Sequence, residues 1–236
     1  MLLKDYLIIT KDQFYNIILI FPILLAYEAL GLVVNHDSPF ELRNGADVLL
    51  KNFFLSFGSY GKYFLGFFIF YLTFFIFHVG KKKIIKHNLR VSYLLLMIVE
   101  GIFFGTILFV CLSEFFYIFS IGYAKSEALP NLYLAIGAGI FEELIFRLFP
   151  LGIIYFFIIK IFPKPYFVCI LLTIFSSFFF SIFHYIGFYG EPFLWSTFFI
   201  RFLGAIYLCV IFSLRGFGIC VISHIIYNFN CIRVSF

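Results

Sequence analysis

Residues 132–159 read LYLAIGAGIFEELIFRLFPLGIIYFFII. A helix needs roughly 20 mostly apolar residues to cross the hydrocarbon core of a bilayer, and this run is longer than that. Its only charged residues are Glu142, Glu143 and Arg147. Pro150 is expected to kink or divide the helix, because proline removes a backbone donor. The stretch therefore predicts a membrane span that carries charges at positions where charges are costly.

The composition of the whole chain agrees with this interpretation. Of 236 residues, 64% are hydrophobic and 12% are charged, whereas a soluble domain is about 45–50% apolar and about 25% charged. This excludes a cytosolic enzyme, a disordered protein and a secreted disulfide scaffold. The five cysteines form no CxxC pair, and we expect them to be small buried hydrophobic residues. They are Cys111, Cys169, Cys209, Cys220 and Cys231.

The expected fold is all-α, a polytopic integral membrane helical bundle with about seven transmembrane helices (six to eight). A β-barrel is excluded because the apolar runs are too long and too uniform for strands. Gly101 and Gly105 form a GxxxG pair, which permits close contact between helices. The expected spans are 14–34, 63–80, 93–118, 132–159, 166–189, 196–213 and 217–232.

We expect one membrane domain with two regions. Residues 1–131 hold N-terminal transmembrane helices and loops to which no function is assigned, and residues 132–232 hold the catalytic core. Within the first region, residues 35–62 mix polar and apolar positions, and Asp47 and Lys51 could lie on an interfacial helix.

Basic residues in the loops predict the orientation. The net charge is +5, and the densest basic run lies between two apolar spans, as the positive-inside rule requires of a cytoplasmic loop. We therefore expect a lipid bilayer but no nucleic acid as a partner, and a multi-pass protein of the cell membrane. In this orientation the polar residues of the later spans, described below, would lie in the non-cytoplasmic half of the membrane, which favours an exported or membrane-anchored substrate. The basic run consists of Lys81, Lys82, Lys83, Lys86 and Arg90.

The charges of the fourth span indicate a site. Each ionisable residue inside a span costs about 2.5–3.5 kcal/mol on insertion scales. Glu143 and Arg147 are four residues apart with the acid first, the favourable order for a helical salt bridge. Glu142 points about 100° away and has no partner on its own helix. A structural ion pair between helices would explain Glu143 and Arg147 but would leave Glu142 unexplained.

Two later spans add polar residues. His184 follows Phe180 by four positions at the end of one span, and His224 and Asn228 share a face of the last span. Each group alone is also compatible with packing or with hydrogen bonding between helices. Together, an unpaired carboxylate and nearby imidazoles are what water activation requires, with further donors for a developing oxyanion.

The motifs EExxxR, FxxxH and HxxxN occur in this order on successive predicted helices, and together they resemble the CPBP family over residues 132–232. That family includes CAAX proteases and bacteriocin-processing (Abi) proteins, among them the type II CAAX prenyl endopeptidases, which are glutamic intramembrane proteases. The resemblance implies that residues 132–232 form a CPBP-like catalytic core, and it implies no cofactor.

The resemblance also implies a role for each motif position. Glu142 would be the general base, and His184 would help to activate the same water. His224 and Asn228 would form the oxyanion hole. Glu143 and Arg147 would shape and hold the site, with Phe180 of the FxxxH motif as a further supporting residue.

The expected function is therefore an intramembrane endopeptidase that acts on a protein or peptide in or at the membrane. One alternative is a metal-dependent hydrolase with Glu142, His184 and His224 as ligands, although the charge of Arg147 would repel a dication. Another alternative is a non-catalytic immunity or scaffold protein of the same family. The sequence gives neither the substrate nor the oligomeric state.

Overall fold

The computed structural model describes residues 3–36, 41–56, 58, 63, 71, 74, 89–118, 128–162, 164–187 and 190–234. Within these ranges the regular structure is helical and contains no strand. Seven α-helices are labelled here in chain order: α1 Leu3–Ile9, α2 Gln13–Val34, α3 Gly45–Leu55, α4 Val91–Ile118, α5 Pro165–Phe183, α6 Trp195–Arg215 and α7 Phe217–Val234.

Between α4 and α5 lies a longer helical run, residues 128–158, which we call the motif helix. It is α-helical over Ala128–Gly137, π-helical over Ala138–Glu142 and Leu144–Ile154, and α-helical again over Tyr155–Ile158. The expected division at Pro150 is wrong, because the helix continues through this residue. Local π-helical adjustment re-satisfies the backbone groups that a proline frees in a membrane helix.

Four described helices are long and apolar enough to cross a membrane: Gln13–Val34, Val91–Ser113, Pro165–Phe183 and Trp195–Arg215. The apolar helix Phe217–Ile232 is shorter. The chain is an integral membrane protein with an all-helical fold, and the count of seven spans stays a prediction. The predicted span 63–80 falls outside the described residues except for positions 63, 71 and 74, and of the basic loop only Arg90 is described.

Helix α7 is central and contacts α2, α4, α6 and the motif helix. Its contact with α4 is the most extensive and depends on the predicted GxxxG pair. A Cβ added at Gly101 would lie 2.6 Å from Ile222 Cγ2, and one at Gly105 would lie 2.4 Å from the backbone oxygen of Ser223. Only glycine permits this approach, which holds α7 against α4 at the residues that directly precede His224.

Helix α3 lies within the segment expected to hold an interfacial helix and carries Asp47 and Lys51, and its place at the interface stays a prediction. Asp47 is 0% exposed, because α3 packs against the motif helix. The Asp47 carboxylate accepts hydrogen bonds from Tyr27 of α2 at 3.1 Å, from Arg43 at 3.1 Å and from Lys51 at 3.2 Å. These bonds compensate for the burial of its charge.

The cysteines follow the expectation in part. Cys209, Cys220 and Cys231 are buried and carry free thiols. Cys111 is exposed on the surface of α4, so the expectation of burial is wrong there.

Candidate active site

The three motifs meet where the motif helix, the end of α5 and the middle of α7 come together. The imidazole of His224 contacts Glu143, and the ring of Phe180 lies under the guanidinium of Arg147 at 4.4 Å from its centroid. These contacts join all three motifs across the interior of the bundle.

Glu143 and Arg147 form the predicted ion pair, with 2.9 Å between Oε1 and the guanidinium NH1 nitrogen. Both residues are 0% exposed. Arg147 also donates to the backbone oxygen of Ala205 at 3.5 Å. The second carboxylate oxygen of Glu143 accepts from the thiol of Cys220 at 3.0 Å. The pair is therefore surrounded by protein on every side, which agrees with a role in holding the site.

His224 joins the two glutamates. Its Nδ1 lies 2.7 Å from Glu143 Oε1, and because an ionised carboxylate can only accept, Nδ1 carries the proton. Its Nε2 lies 3.9 Å from Glu142 Oε2, which is too long for a direct hydrogen bond. A polar contact of this length is suited to a bridging water.

Glu142 is 5% exposed and is not an unpaired carboxylate. Its Oε1 accepts a hydrogen bond of 3.1 Å from Nδ2 of Asn44, which immediately precedes α3. Asn44 is not among the site residues predicted from the sequence. Its position before a helical segment is a recognisable N-cap signal, but nothing local connects it to a residue 98 positions later.

His184 lies at the C-terminal end of α5. Its Nδ1 is 3.0 Å from the backbone oxygen of Phe180, which requires a proton on Nδ1 and leaves Nε2 available. The Phe180 ring packs against both imidazoles, at 5.0 Å from His184 and 5.9 Å from His224 between ring centroids.

Asn228 lies one turn beyond His224 on α7 and is half-buried. Its side chain makes no hydrogen bond to another of the described residues, so the described structure does not connect it to the other motif residues. Its predicted role beside His224 stays a prediction.

The alternative metal ligands are not assembled into a site. Among the described residues, no three His, Cys, Asp or Glu side chains are placed so that they could hold a metal ion. Glu142 and His224 face each other across 3.9 Å, and the bond from Nδ1 of His224 to Glu143 is of the kind that also orients metal-binding histidines. The metal-dependent alternative therefore stays a prediction.

A family model described as type II CAAX prenyl endopeptidase Rce1-like matches residues 124–230, a range that includes all three motifs. No match to a curated protein or to a solved structure was found. Residues 124–230 are therefore similar to the Rce1-like type II CAAX prenyl endopeptidases, which confirms the resemblance to the CPBP family.

Proposed function

We propose that this protein is an intramembrane endopeptidase that hydrolyses a peptide bond with a water molecule activated by Glu142. The observation that carries the proposal is the placement of Glu142 Oε2 opposite Nε2 of His224 at 3.9 Å, with Glu143 orienting the imidazole from behind. A carboxylate and an oriented imidazole around one buried point form a site for general acid–base chemistry. Similarity to an endopeptidase family supports the same conclusion.

The proposed hydrolysis has two steps, and Glu142 transfers a proton in each of them. Glu142 takes a proton from water while the water oxygen attacks the carbonyl carbon of the scissile bond, which forms a tetrahedral oxyanion. The protonated Glu142 then gives its proton to the leaving amide nitrogen as the carbon–nitrogen bond breaks. The products are a carboxylic acid and an amine, and Glu142 returns to its initial state.

His224 supports this step from the opposite side. Because Nδ1 donates to Glu143, a neutral His224 presents the lone pair of Nε2 and can orient the water. The oxyanion role that the family resemblance implies requires a proton on Nε2 as well, and Asn228 would supply the second donor.

His184 approaches the same point from α5. Its Nδ1 proton is bonded to the Phe180 backbone oxygen, so Nε2 is the nitrogen available to the water. Phe180 fixes this arrangement through its contacts with both imidazoles and with Arg147. We assign Phe180, Glu143 and Arg147 to the support of the site.

We propose that the substrate is a membrane-associated or exported protein and that the enzyme acts in the cell membrane. We expect the substrate to reach the site from the bilayer, because α5, which ends at the site, is apolar and long enough to cross a membrane. The family name refers to prenylated CAAX proteins. The predicted orientation, in which the site lies in the non-cytoplasmic half, favours a substrate that is not prenylated.

Comparison of membrane-protein termini from cells that produce wild-type protein or the Glu142→Gln variant tests the proposal. A new peptide terminus found only with the wild type supports it and names the substrate. An identical set of termini supports a non-catalytic immunity or scaffold protein. If cleavage depends on Glu142 but is abolished by a chelator, the metal-dependent alternative is favoured instead.

A further inference from the structure

The N-terminal region, which the family match does not cover, contacts the proposed general base. Asn44 precedes α3 and lies 98 positions before Glu142, and its Nδ2 is 3.1 Å from Glu142 Oε1. Asn44 itself is 9% exposed. A buried hydrogen bond to a carboxylate is among the stronger kinds of hydrogen bond.

The orientation of the Asn44 amide follows from its two contacts. Oδ1 accepts from the backbone N–H of Ala46 at 2.9 Å and caps α3. Only an oxygen can accept from that N–H, so the NH₂ group must face Glu142. Asn44 therefore donates to Glu142 and occupies its Oε1 oxygen.

Two features hold Asn44 in this position. A Cβ added at Gly137 of the motif helix would lie 2.6 Å from Tyr27 and 3.0 Å from the Cβ of Asn44, so the close approach depends on glycine. On the other side, the buried Asp47 binds Arg43 and Lys51 in ion pairs of 3.1 and 3.2 Å. These contacts anchor the first turns of α3 against α2 and the motif helix.

Arg43 stays charged in this anchor. Burial lowers the pKa of Arg43, but its hydrogen bond to Glu41 and the charges of Glu28 and Asp47 outweigh this effect and raise the pKa above its ordinary value. The ion pairs that hold the start of α3 are therefore not lost by deprotonation of Arg43.

The charged and titratable groups around Glu142 come from three elements. His224 faces it from α7, His184 lies at the end of α5, and Glu143 and Arg147 lie on its own helix. Asn44 is the neutral donor on the fourth side. Asn44 donates to Oε1, whereas His224 faces Oε2.

We propose that Asn44 is a positioning residue for Glu142, and that the start of α3 is part of the active site. The proposal builds on the function proposed above. Asn44 orients the carboxylate, so that Oε2 is directed at the water while Oε1 is occupied. The N-terminal region thereby completes a site whose motif residues all lie after residue 140.

Two variants separate the capping role of Asn44 from its contact with Glu142. Asn, Asp and Ser are about equally good N-caps, so Asn44→Ser and Asn44→Asp both keep α3 capped. Serine is too short to reach Glu142. Aspartate has the size of asparagine but replaces the NH₂ donor by an acceptor. Equal helical content of the three proteins in detergent, measured by circular dichroism, would confirm that α3 is intact.

The readout that needs no substrate is the thermal unfolding midpoint of the purified full-length protein in detergent. Each variant is made in the wild-type background and in a Glu142→Ala background. In the wild-type background we expect both variants to lower the midpoint, because a buried hydrogen bond to a carboxylate is lost. In the Glu142→Ala background, where this bond is already absent, we expect a smaller loss.

The outcomes are distinct. An equal loss in both backgrounds, or no loss in either, overturns the proposal. A loss for Asn44→Ser alone also overturns it, because it would reflect the space that the shorter side chain leaves. With the cleaved peptide as substrate, both variants should lower kcat with little change in KM. If the background-dependent loss is found but Glu142→Gln is fully active, the hydrolytic mechanism fails and the hold of Asn44 on Glu142 stands.

Discussion

Nδ1 of His224 and Oε1 of Glu143 are 2.7 Å apart, although the two residues are 81 positions apart in the chain. This bond gives the two adjacent glutamates different tasks. Glu143 is occupied by His224, Arg147 and Cys220, so it orients the imidazole and cannot accept a proton from water without losing these contacts. Glu142 is left with one oxygen facing the opposite nitrogen of His224.

The Glu143–Arg147 pair should matter for stability as well as for activity. Arg147→Ala leaves the charge of Glu143 buried without its main partner, which typically costs about 3–5 kcal/mol. We expect a lower thermal unfolding midpoint in detergent together with lost cleavage. The control is Lys160→Ala, because Lys160 is exposed just beyond the motif helix and substitutions at exposed positions usually change stability by less than about 0.5 kcal/mol.

A double variant separates charge from function at this pair. Glu143→Leu with Arg147→Leu removes both charges and should recover part of the stability lost in Arg147→Ala, but no activity, because His224 loses its acceptor. An Arg147→Ala protein that is inactive yet as stable as wild type would contradict the structural role and assign Arg147 to direct catalysis.

His224 should act on the transition state. We expect His224→Ala to lower kcat by about 10²–10³ with little change in KM, as is typical of a lost oxyanion donor. Asn228→Ala should behave in the same way if it is the second donor. Ser223→Ala is the matched control on α7, because its hydroxyl bonds only to the backbone of its own helix. A rise in KM alone would reassign the affected residue to substrate docking.

Gly105 should control the position of α7. An added methyl group would overlap the backbone oxygen of Ser223 and the Cβ of Ile226 at 2.4 and 2.8 Å. We expect Gly105→Ala to destabilise the protein by about 1–3 kcal/mol and to lower cleavage, because α7 carries His224. Thermal unfolding and steady-state kinetics measure the two effects.

The control for this prediction is Gly204→Ala. Its added Cβ would meet only Cδ1 of Leu112 at 3.3 Å, the end of a side chain that can move. If the two alanine variants were equally stable and equally active, the contact between α4 and α7 would not position the site.

Local spacing explains what the sequence could predict. The Glu143–Arg147 pair and the GxxxG contact depend on helix geometry within a few residues, and both are found. The grouping of Phe180 and His224 around the Glu143–Arg147 pair could not be derived from spacing within any one helix. It was predicted because the three motifs, in their order along the chain, resemble those of the CPBP family.

Contacts over long separations explain what the sequence could not predict. Asn44 and Asp47 lie in a segment of mixed polarity that is typical of an interface, but both are buried because α3 packs on the motif helix. The π-helical segments also have no signal in the residue pattern, since the apolar runs fit either kind of helix. The pairing of Glu142 with Asn44 depends on this tertiary packing.

The most direct test of the account uses purified wild-type and Glu142→Gln proteins in lipid nanodiscs with a peptide that spans the identified cleavage site. Cleavage rate and thermal unfolding are measured on the same samples. We predict that the variant unfolds at the temperature of the wild type and cleaves about 10²–10⁴-fold more slowly, the range typical of general acid–base catalysis. A folded Glu142→Gln protein with the full wild-type rate would contradict the role of Glu142 as the base that activates water.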